Sequence, residues 1–150
     1  MKKILMICHG NICRSPMAEF VMKDAVEKRG LSAEYQIDSA ATSTEEIGND
    51  IYPPAQSKLR EKGIAFEHRG ARQITRQDYA DYDLLIGMDE ANRRNITRMM
   101  GGDPDHKVYL LLDFTADPHP ISDPWYNGDF ETTYQEVQAG VAGLIKMLEK

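Results

Sequence analysis

Uninterrupted apolar runs alternate along the chain with longer segments in which apolar residues recur every three or four positions. Short apolar runs are typical of buried strands, and the longer spacing is typical of amphipathic helices. Four strands are predicted, at residues 3–8, 35–39, 84–88 and 107–111. Four helices are predicted, at residues 16–29, 53–63, 90–100 and 130–150. Because strands that alternate with helices form βαβ units, we expect one α/β domain over residues 1–150, with a doubly wound, four-stranded parallel sheet and helices on both faces.

Capping residues mark the ends of the first predicted helix. Ser15 is expected to cap its N-terminus, Pro16 suits its first turn, and Gly30 follows its last residues. Residues 113–128 hold three prolines and several turn-forming residues, so they are predicted to form a long loop.

Polar and reactive residues follow three of the predicted strands. The segment that starts at Cys8 leaves the first strand, Ser39 ends the second, and Asp89 follows the third. In parallel sheets of this type, ligands bind beyond the carboxyl ends of the strands. These residues are therefore expected at one edge of the sheet, where a site would lie.

Charge and composition narrow the function of the chain. The net charge is -6 and the charges are well mixed, which argues against nucleic-acid binding. No apolar stretch approaches the about 20 residues of a membrane span, and the apolar run after Met1 is too short for a signal peptide. We expect a cytoplasmic protein that binds neither nucleic acid nor membrane.

The two cysteines, Cys8 and Cys13, both lie in the segment after the first strand. A disulfide between residues so close in sequence would stabilise little, and a zinc site needs about four ligands. Reactive chemistry at one of the two is the leading interpretation, with no metal and no cofactor.

The segment Cys8–Ser15 has the composition of an anion-binding loop. A short connection between a strand and a helix directs backbone N–H groups inward, at the positive end of the helix dipole. Gly10 allows a tight turn, Asn11 tolerates left-handed dihedrals, and Arg14 suits two phosphate oxygens. The sequence therefore predicts a phosphate-binding loop after the first strand.

Cys8 is expected at the floor of this loop, where the field that holds an anion also favours a thiolate. A thiolate below a bound phosphate monoester is placed for nucleophilic attack, with a phosphocysteine as the intermediate. Ser15 could donate a hydrogen bond to the sulfur. The lysine of a nucleotide-binding glycine loop is missing, which argues against an ATPase.

Expulsion of a phenolate requires a proton donor, and Asp123 is the candidate. Pro124 stiffens the chain after it, and Trp125 and Tyr126 could line a pocket for a phenyl ring. Two other Asp-Pro pairs occur, at 103–104 and 117–118, and only Asp123 has adjacent aromatic residues. Trp125 could equally well pack in the core.

Taken together, the motif at residues 8–16 and the Asp-Pro-Trp-Tyr segment at residues 123–126 resemble a low-molecular-weight protein tyrosine phosphatase. Residues 38–43, 71–75 and 88–92 are also similar to that family. The resemblance implies a four-stranded parallel sheet, no metal cofactor and phosphotyrosine proteins as substrates. It also implies a monomer or weak dimer.

The resemblance further implies a role for individual residues. Cys8 would be the nucleophile, Arg14 the phosphate clamp and Asp123 the general acid. Asn11, Ser39 and His68 would support the loop through hydrogen bonds, and Cys13 would trap oxidised Cys8 as a reversible disulfide. The residues expected to bind substrate are His9, Gly10, Asn11, Ile12, Cys13, Ser15, Trp125 and Tyr126.

Three residues depart from the usual family pattern at the mouth of the pocket. His9 replaces an aliphatic residue, Trp125 a tyrosine, and Glu45 an aromatic residue, which predicts a more acidic mouth on one side. Two alternative functions are a phospho-ligand binding module without turnover and a thiol-dependent arsenate reductase. The reductase would need further cysteines after Cys13, and the chain has none.

Overall fold

The computed structural model describes residues 1–150 and confirms the predicted α/β fold. Its four strands are β1 (Lys2–Cys8), β2 (Tyr35–Ala41), β3 (Leu84–Gly87) and β4 (Val108–Leu110). Its six α-helices are α1 (Arg14–Lys28), α2 (Pro53–Glu61), α3 (Arg76–Asp81), α4 (Glu90–Met100), α5 (Pro124–Asn127) and α6 (Phe130–Leu148). Two short 3-10 helices lie at Ser32–Glu34 and Leu111–Phe114.

All strand pairs are parallel, and the order in the sheet is β2-β1-β3-β4. The chain moves from β1 to β2 on one side and from β3 to β4 on the other. Strands β1 and β3 are neighbours in the sheet, but the connections that follow them lead in opposite directions. The space between these two connections is the switch point, where doubly wound sheets bind ligands.

Alternate residues of β1 face two separate layers of core. Ile4 and Met6 join the larger core, which α1 and α6 cover, whereas Leu5 and Ile7 join the smaller one with Ile96 of α4. All four β1 residues are fully buried. A strand covered on both faces must be apolar throughout, which is why this run shows no polar alternation.

The first helix begins at Arg14, two residues before the predicted start at Pro16, and its N-cap is Cys13 rather than Ser15. The Ser15 hydroxyl instead lies 3.1 Å from the Cys8 sulfur. The predicted capping role was wrong because the hydroxyl is engaged inside the loop.

The prediction of one long loop over residues 113–128 is confirmed only for residues 115–123, because short helices occupy its two ends. Asp113 stabilises the start of the 3-10 helix Leu111–Phe114, because its carboxylate accepts a hydrogen bond from the Leu110 N–H at 2.9 Å. Helix α5 begins after Asp123 and ends at Asn127, and Gly128, which has a φ of 69°, caps it. Helix α3 was missed because its six residues are too few to show an apolar period, although Thr75 and Asp78 form a capping box.

No helix of the chain combines the length and apolar character that crossing a membrane requires.

Two glycines allow α6 to approach the 3-10 helix Leu111–Phe114. A Cβ on Gly143 would lie 2.2 Å from the Phe114 carbonyl oxygen, and one on Gly140 would lie 2.5 Å from Leu111 Cγ. The contact at Gly143 is with backbone, which would have to move, and the contact at Gly140 would displace the Leu111 side chain, so this packing favours glycine at both positions.

We therefore expect Gly143→Ala to lower the free energy of unfolding by about 1–3 kcal/mol, the usual cost of overpacking. Urea denaturation followed by circular dichroism measures it. Gln138→Ala, at an exposed position of the same helix, is the control and should change stability by less than about 0.5 kcal/mol. A Gly143→Ala protein as stable as the wild type would contradict the close approach.

Candidate active site

The loop from Cys8 to Arg14 joins the carboxyl end of β1 to the first turn of α1. Asn11 has a φ of 61°, and Gly10 is not among the residues with positive φ. The left-handed bend therefore falls on Asn11, which tolerates it because its short polar side chain can bond locally.

The Cys8 sulfur is buried and accepts hydrogen bonds at the floor of the loop. The Asn11 backbone N–H donates to it, with the nitrogen 3.2 Å away, and Ser15 Oγ lies at 3.1 Å. Because Ser15 Oγ already accepts from Asn11 Nδ2 at 2.8 Å, its own proton can point at the sulfur. Both contacts stabilise negative charge on sulfur more than they stabilise a thiol.

A buried chain of hydrogen bonds supports Asn11 from the side of the sheet. Asn11 Nδ2 also donates to Ser39 Oγ at 2.9 Å, and Ser39 donates to Glu19 Oε1 at 2.6 Å. The other oxygen of Glu19 pairs with Lys23 Nζ at 2.6 Å. Each of these side-chain polar groups has a hydrogen-bond partner, so the network is a rigid support for the loop.

Arg14 is buried and held by groups from two other segments. Its Nη1 donates to Asp89 Oδ2 at 2.8 Å and to the Ile121 carbonyl at 3.1 Å, and its Nη2 lies 3.5 Å from Asp123 Oδ2. Burial opposes the charged form, but the negative charges of Cys8 and Asp123 and the bond to Asp89 raise the pKa of Arg14 overall. The guanidinium is thus a fixed positive charge beside the sulfur.

Asp123 caps α5, with Oδ1 accepting from the Trp125 N–H at 3.1 Å. The Trp125 ring packs against Tyr52, with centroids 4.8 Å apart, and the residue remains half exposed at the cavity. Trp125 is therefore a surface residue that lines the cavity and not part of the core. Tyr126 is 85% exposed and packs little.

These groups surround a cavity of about 200 Å³. The residues that line it are Cys8, His9, Gly10, Ile12, Cys13, Arg14, Glu45, Glu46, Asp123, Trp125 and Tyr126. Asn11 and Ser15, which were expected to bind substrate, lie beneath the cavity instead of lining it. At its mouth His9 Nε2 lies 3.0 Å from Glu45 Oε2, so the two unusual residues meet as a pair.

Cys13 differs from Cys8 although both thiols are free and buried. Burial, and then the nearby negative charge of Cys8, raise the pKa of Cys13 to about 12. Cys13 is therefore a neutral thiol at physiological pH.

The expected loop support by His68 was wrong. His68 Nδ1 lies 2.6 Å from Asp50 Oδ2, its side chain is 70% exposed, and it makes no hydrogen bond to the loop. The neighbouring Arg69 reaches the loop instead and donates through Nη2 to the Asn11 carbonyl oxygen. Sequence reasoning missed Arg69 because only the three-dimensional path of residues 68–71 decides which side chain turns inward.

No group of three or more His, Cys, Asp or Glu side chains is arranged to hold a metal ion.

A strand-to-helix loop at the switch point of a parallel sheet, with a free thiol at its floor and a buried arginine beside it, is typical of the class of cysteine-dependent phosphatases. Sequence comparison agrees. The family described as low molecular weight phosphotyrosine protein phosphatase matches residues 3–150. The chain belongs to this family, which confirms the resemblance found in the sequence.

Individual relatives match over most of their length. The low molecular weight protein-tyrosine-phosphatase YfkJ of Bacillus subtilis is 37% identical over 152 residues, which cover 100% of this chain and 97% of YfkJ. The low molecular weight phosphotyrosine protein phosphatase of Homo sapiens is 41% identical over 140 residues, which cover 90% of this chain and 88% of the human protein.

Solved structures give the same result. The crystal structure of YfkJ has a TM-score of 0.95 at 36% identity, covering 99% of this chain and 95% of that one. The low molecular weight protein tyrosine phosphatase of Streptococcus pyogenes has a TM-score of 0.89 at 42% identity, covering 99% and 93%.

Proposed function

We propose that this protein-tyrosine phosphatase hydrolyses phosphotyrosine and small aryl phosphates through a phosphocysteine on Cys8. The observation that carries the proposal is the Cys8 sulfur itself. It accepts hydrogen bonds at the floor of a cavity whose walls include Arg14 and Asp123.

In the first step the Cys8 thiolate attacks phosphorus, so that a P–S bond forms and the P–O bond to the phenol breaks. Arg14 binds two phosphoryl oxygens and offsets the charge that they gather. Asp123 gives its proton to the departing phenolate oxygen.

In the second step water attacks the phosphocysteine. Asp123, now ionised, accepts a proton from this water, a P–O bond forms, and the P–S bond breaks to release phosphate and the thiolate. Ser15 supports the leaving sulfur through the same contact that supports the attacking one. No cofactor enters either step.

Replacement of the nucleophile tests the proposal most directly. We expect Cys8→Ser to lower kcat for p-nitrophenyl phosphate by at least about 1,000-fold, because a serine hydroxyl is not ionised at neutral pH. The variant should still bind orthovanadate, measured by calorimetry, since Arg14 and the backbone N–H groups remain. Substantial turnover by a correctly folded Cys8→Ser protein would remove Cys8 from the mechanism.

Leaving-group dependence tests Asp123. We expect Asp123→Ala to slow phenyl phosphate by about 100- to 10,000-fold and p-nitrophenyl phosphate much less, because the better leaving group departs without a proton. Asp117→Ala, in an exposed Asp-Pro pair, is the matched control and should slow neither substrate. Equal losses on both substrates would assign Asp123 another role.

We also propose that Cys13 protects the nucleophile from irreversible oxidation. Peroxide oxidises the Cys8 thiolate to a sulfenic acid, and the Cys13 thiol condenses with it, forming a disulfide and releasing water. A dithiol then reduces the disulfide. The support is that both residues are free, buried and in one short loop.

After treatment with hydrogen peroxide, dithiothreitol should restore most of the activity of the wild type. We expect it to restore little in Cys13→Ser, in which the sulfenic acid continues to sulfinic acid. Mass spectrometry of the peptide containing Cys8 reads the product. Equal recovery in both proteins would leave Cys13 without a protective role.

The substrates proposed are phosphotyrosine proteins, acted on by a monomer or weak dimer in the cytoplasm. Reducing conditions there would keep Cys8 available as a thiol. The cavity supports this substrate class because Trp125 and Ile12 contribute apolar surface to its lining. No specific observation favours arsenate reduction or binding without turnover.

A further inference from the structure

Arg69 is a half-buried cation that the two-step mechanism does not use. It contacts the loop from outside the cavity, where Nη2 donates to the Asn11 carbonyl oxygen and Nη1 donates to the Asn49 carbonyl at 3.1 Å. Its backbone N–H donates to Asp50 Oδ1 at 3.1 Å, and the other oxygen of Asp50 pairs with His68. These contacts fix the guanidinium against the back of the loop.

The contact with Asn11 bears directly on the nucleophile. Asn11 is the left-handed residue of the loop, and its N–H is the backbone donor to the Cys8 sulfur. Its carbonyl points to Arg69 on the outer side. The bond to this carbonyl therefore restrains the loop backbone at the same residue whose N–H faces the sulfur.

The charge of Arg69 is not neutralised by a salt bridge. Arg69 forms no salt bridge. The nearby carboxylates of Glu19 and Asp50 are paired instead with Lys23 and His68. Burial lowers the pKa of Arg69, and the negative charges of Glu19 and Cys8 act against this. Arginine remains protonated throughout the physiological range in any case.

The charged and titratable groups around the sulfur come from several elements. They are Arg14 and Glu19 of α1, His9 and Cys13 of the loop, Glu45 and Glu46 after β2, Arg69 before α3, Asp89 before α4 and Asp123 before α5. Arg14 and Arg69 are the two guanidinium groups among them. Removal of Arg69 would leave Arg14 as the single arginine near Cys8.

We propose that Arg69 is a positioning residue for the phosphatase reaction. It holds Asn11 so that the N–H faces the Cys8 sulfur, and its charge behind the loop favours the thiolate. This inference rests on the proposed role of Cys8 as nucleophile.

The test compares Arg69→Gln, which removes the charge, with Arg69→Lys, which keeps it. Arg94→Gln is the matched control, since it removes the same charge from an exposed position on α4. For each protein, the rate of Cys8 alkylation by neutral iodoacetamide is measured against pH by mass spectrometry. The acid limb of kcat/KM for p-nitrophenyl phosphate is measured in parallel, and circular dichroism checks the fold.

In Arg69→Gln the midpoint of alkylation should rise by about half a pH unit or more, which corresponds to about threefold less thiolate below the midpoint. The acid limb of kcat/KM should move in the same direction. Arg69→Lys should restore most of both shifts, and Arg94→Gln should show neither. A merely structural role would lower activity without moving the midpoint.

Two results would overturn the inference. One is an unshifted midpoint in a folded Arg69→Gln protein, and the other is an equal shift in Arg69→Gln and Arg69→Lys, which would exclude the charge as the cause. Turnover by Cys8→Ser would instead refute the nucleophile itself. An inactive Cys8→Ser protein together with an unshifted Arg69→Gln protein would refute only the role of Arg69.

Discussion

The left-handed conformation of Asn11 is the constraint on which the rest of the site depends. It turns the chain so that the Asn11 N–H points inward to sulfur and the carbonyl outward. Such a conformation costs about 1 kcal/mol or more for residues other than glycine, so surrounding contacts must hold it. The amide side chain provides two of these contacts, to Ser15 and Ser39.

The charges of the site are arranged in layers. Arg14 lies beside the sulfur, with its position fixed by Asp89 and the Ile121 carbonyl. Carboxylates lie farther out, where Glu45 pairs with His9 at the mouth. In the proposed mechanism these charges attract a dianion to the floor, and the mouth would select substrates by what surrounds their phosphate. The exposed ring of Trp125 at the cavity offers a wall for the phenyl ring of the proposed substrate.

Much of the fold could be predicted from the sequence because its elements carry strong local signals. The β1 run is apolar throughout since both of its faces are buried, and Asp89 and Gly101 mark the two ends of α4. Helices α3 and α5 are too short to show a period, so only their capping residues indicate them. The start of α1 was misplaced because the Ser15 hydroxyl serves the loop and not the helix end.

The candidate site was predictable where consecutive residues build it and less so where distant segments meet. Cys8 and Arg14 belong to one loop, and the strand before it, the Gly10-Asn11 turn and the helix after it together predict an anion site there. His68 and Arg69 are adjacent, and only the packing of residues 48–50 against 69–71 turns Arg69 toward Asn11. The pairing of His9 with Glu45 likewise joins residues 36 positions apart.

The position of Trp125 makes the protein its own optical probe. It is the only tryptophan in the chain, and it lies at the cavity with its ring against Tyr52. All indole fluorescence therefore originates at the entrance to the site. Any molecule that enters changes the surroundings of this one fluorophore, so occupancy can be followed in the unlabelled enzyme, in real time and without turnover.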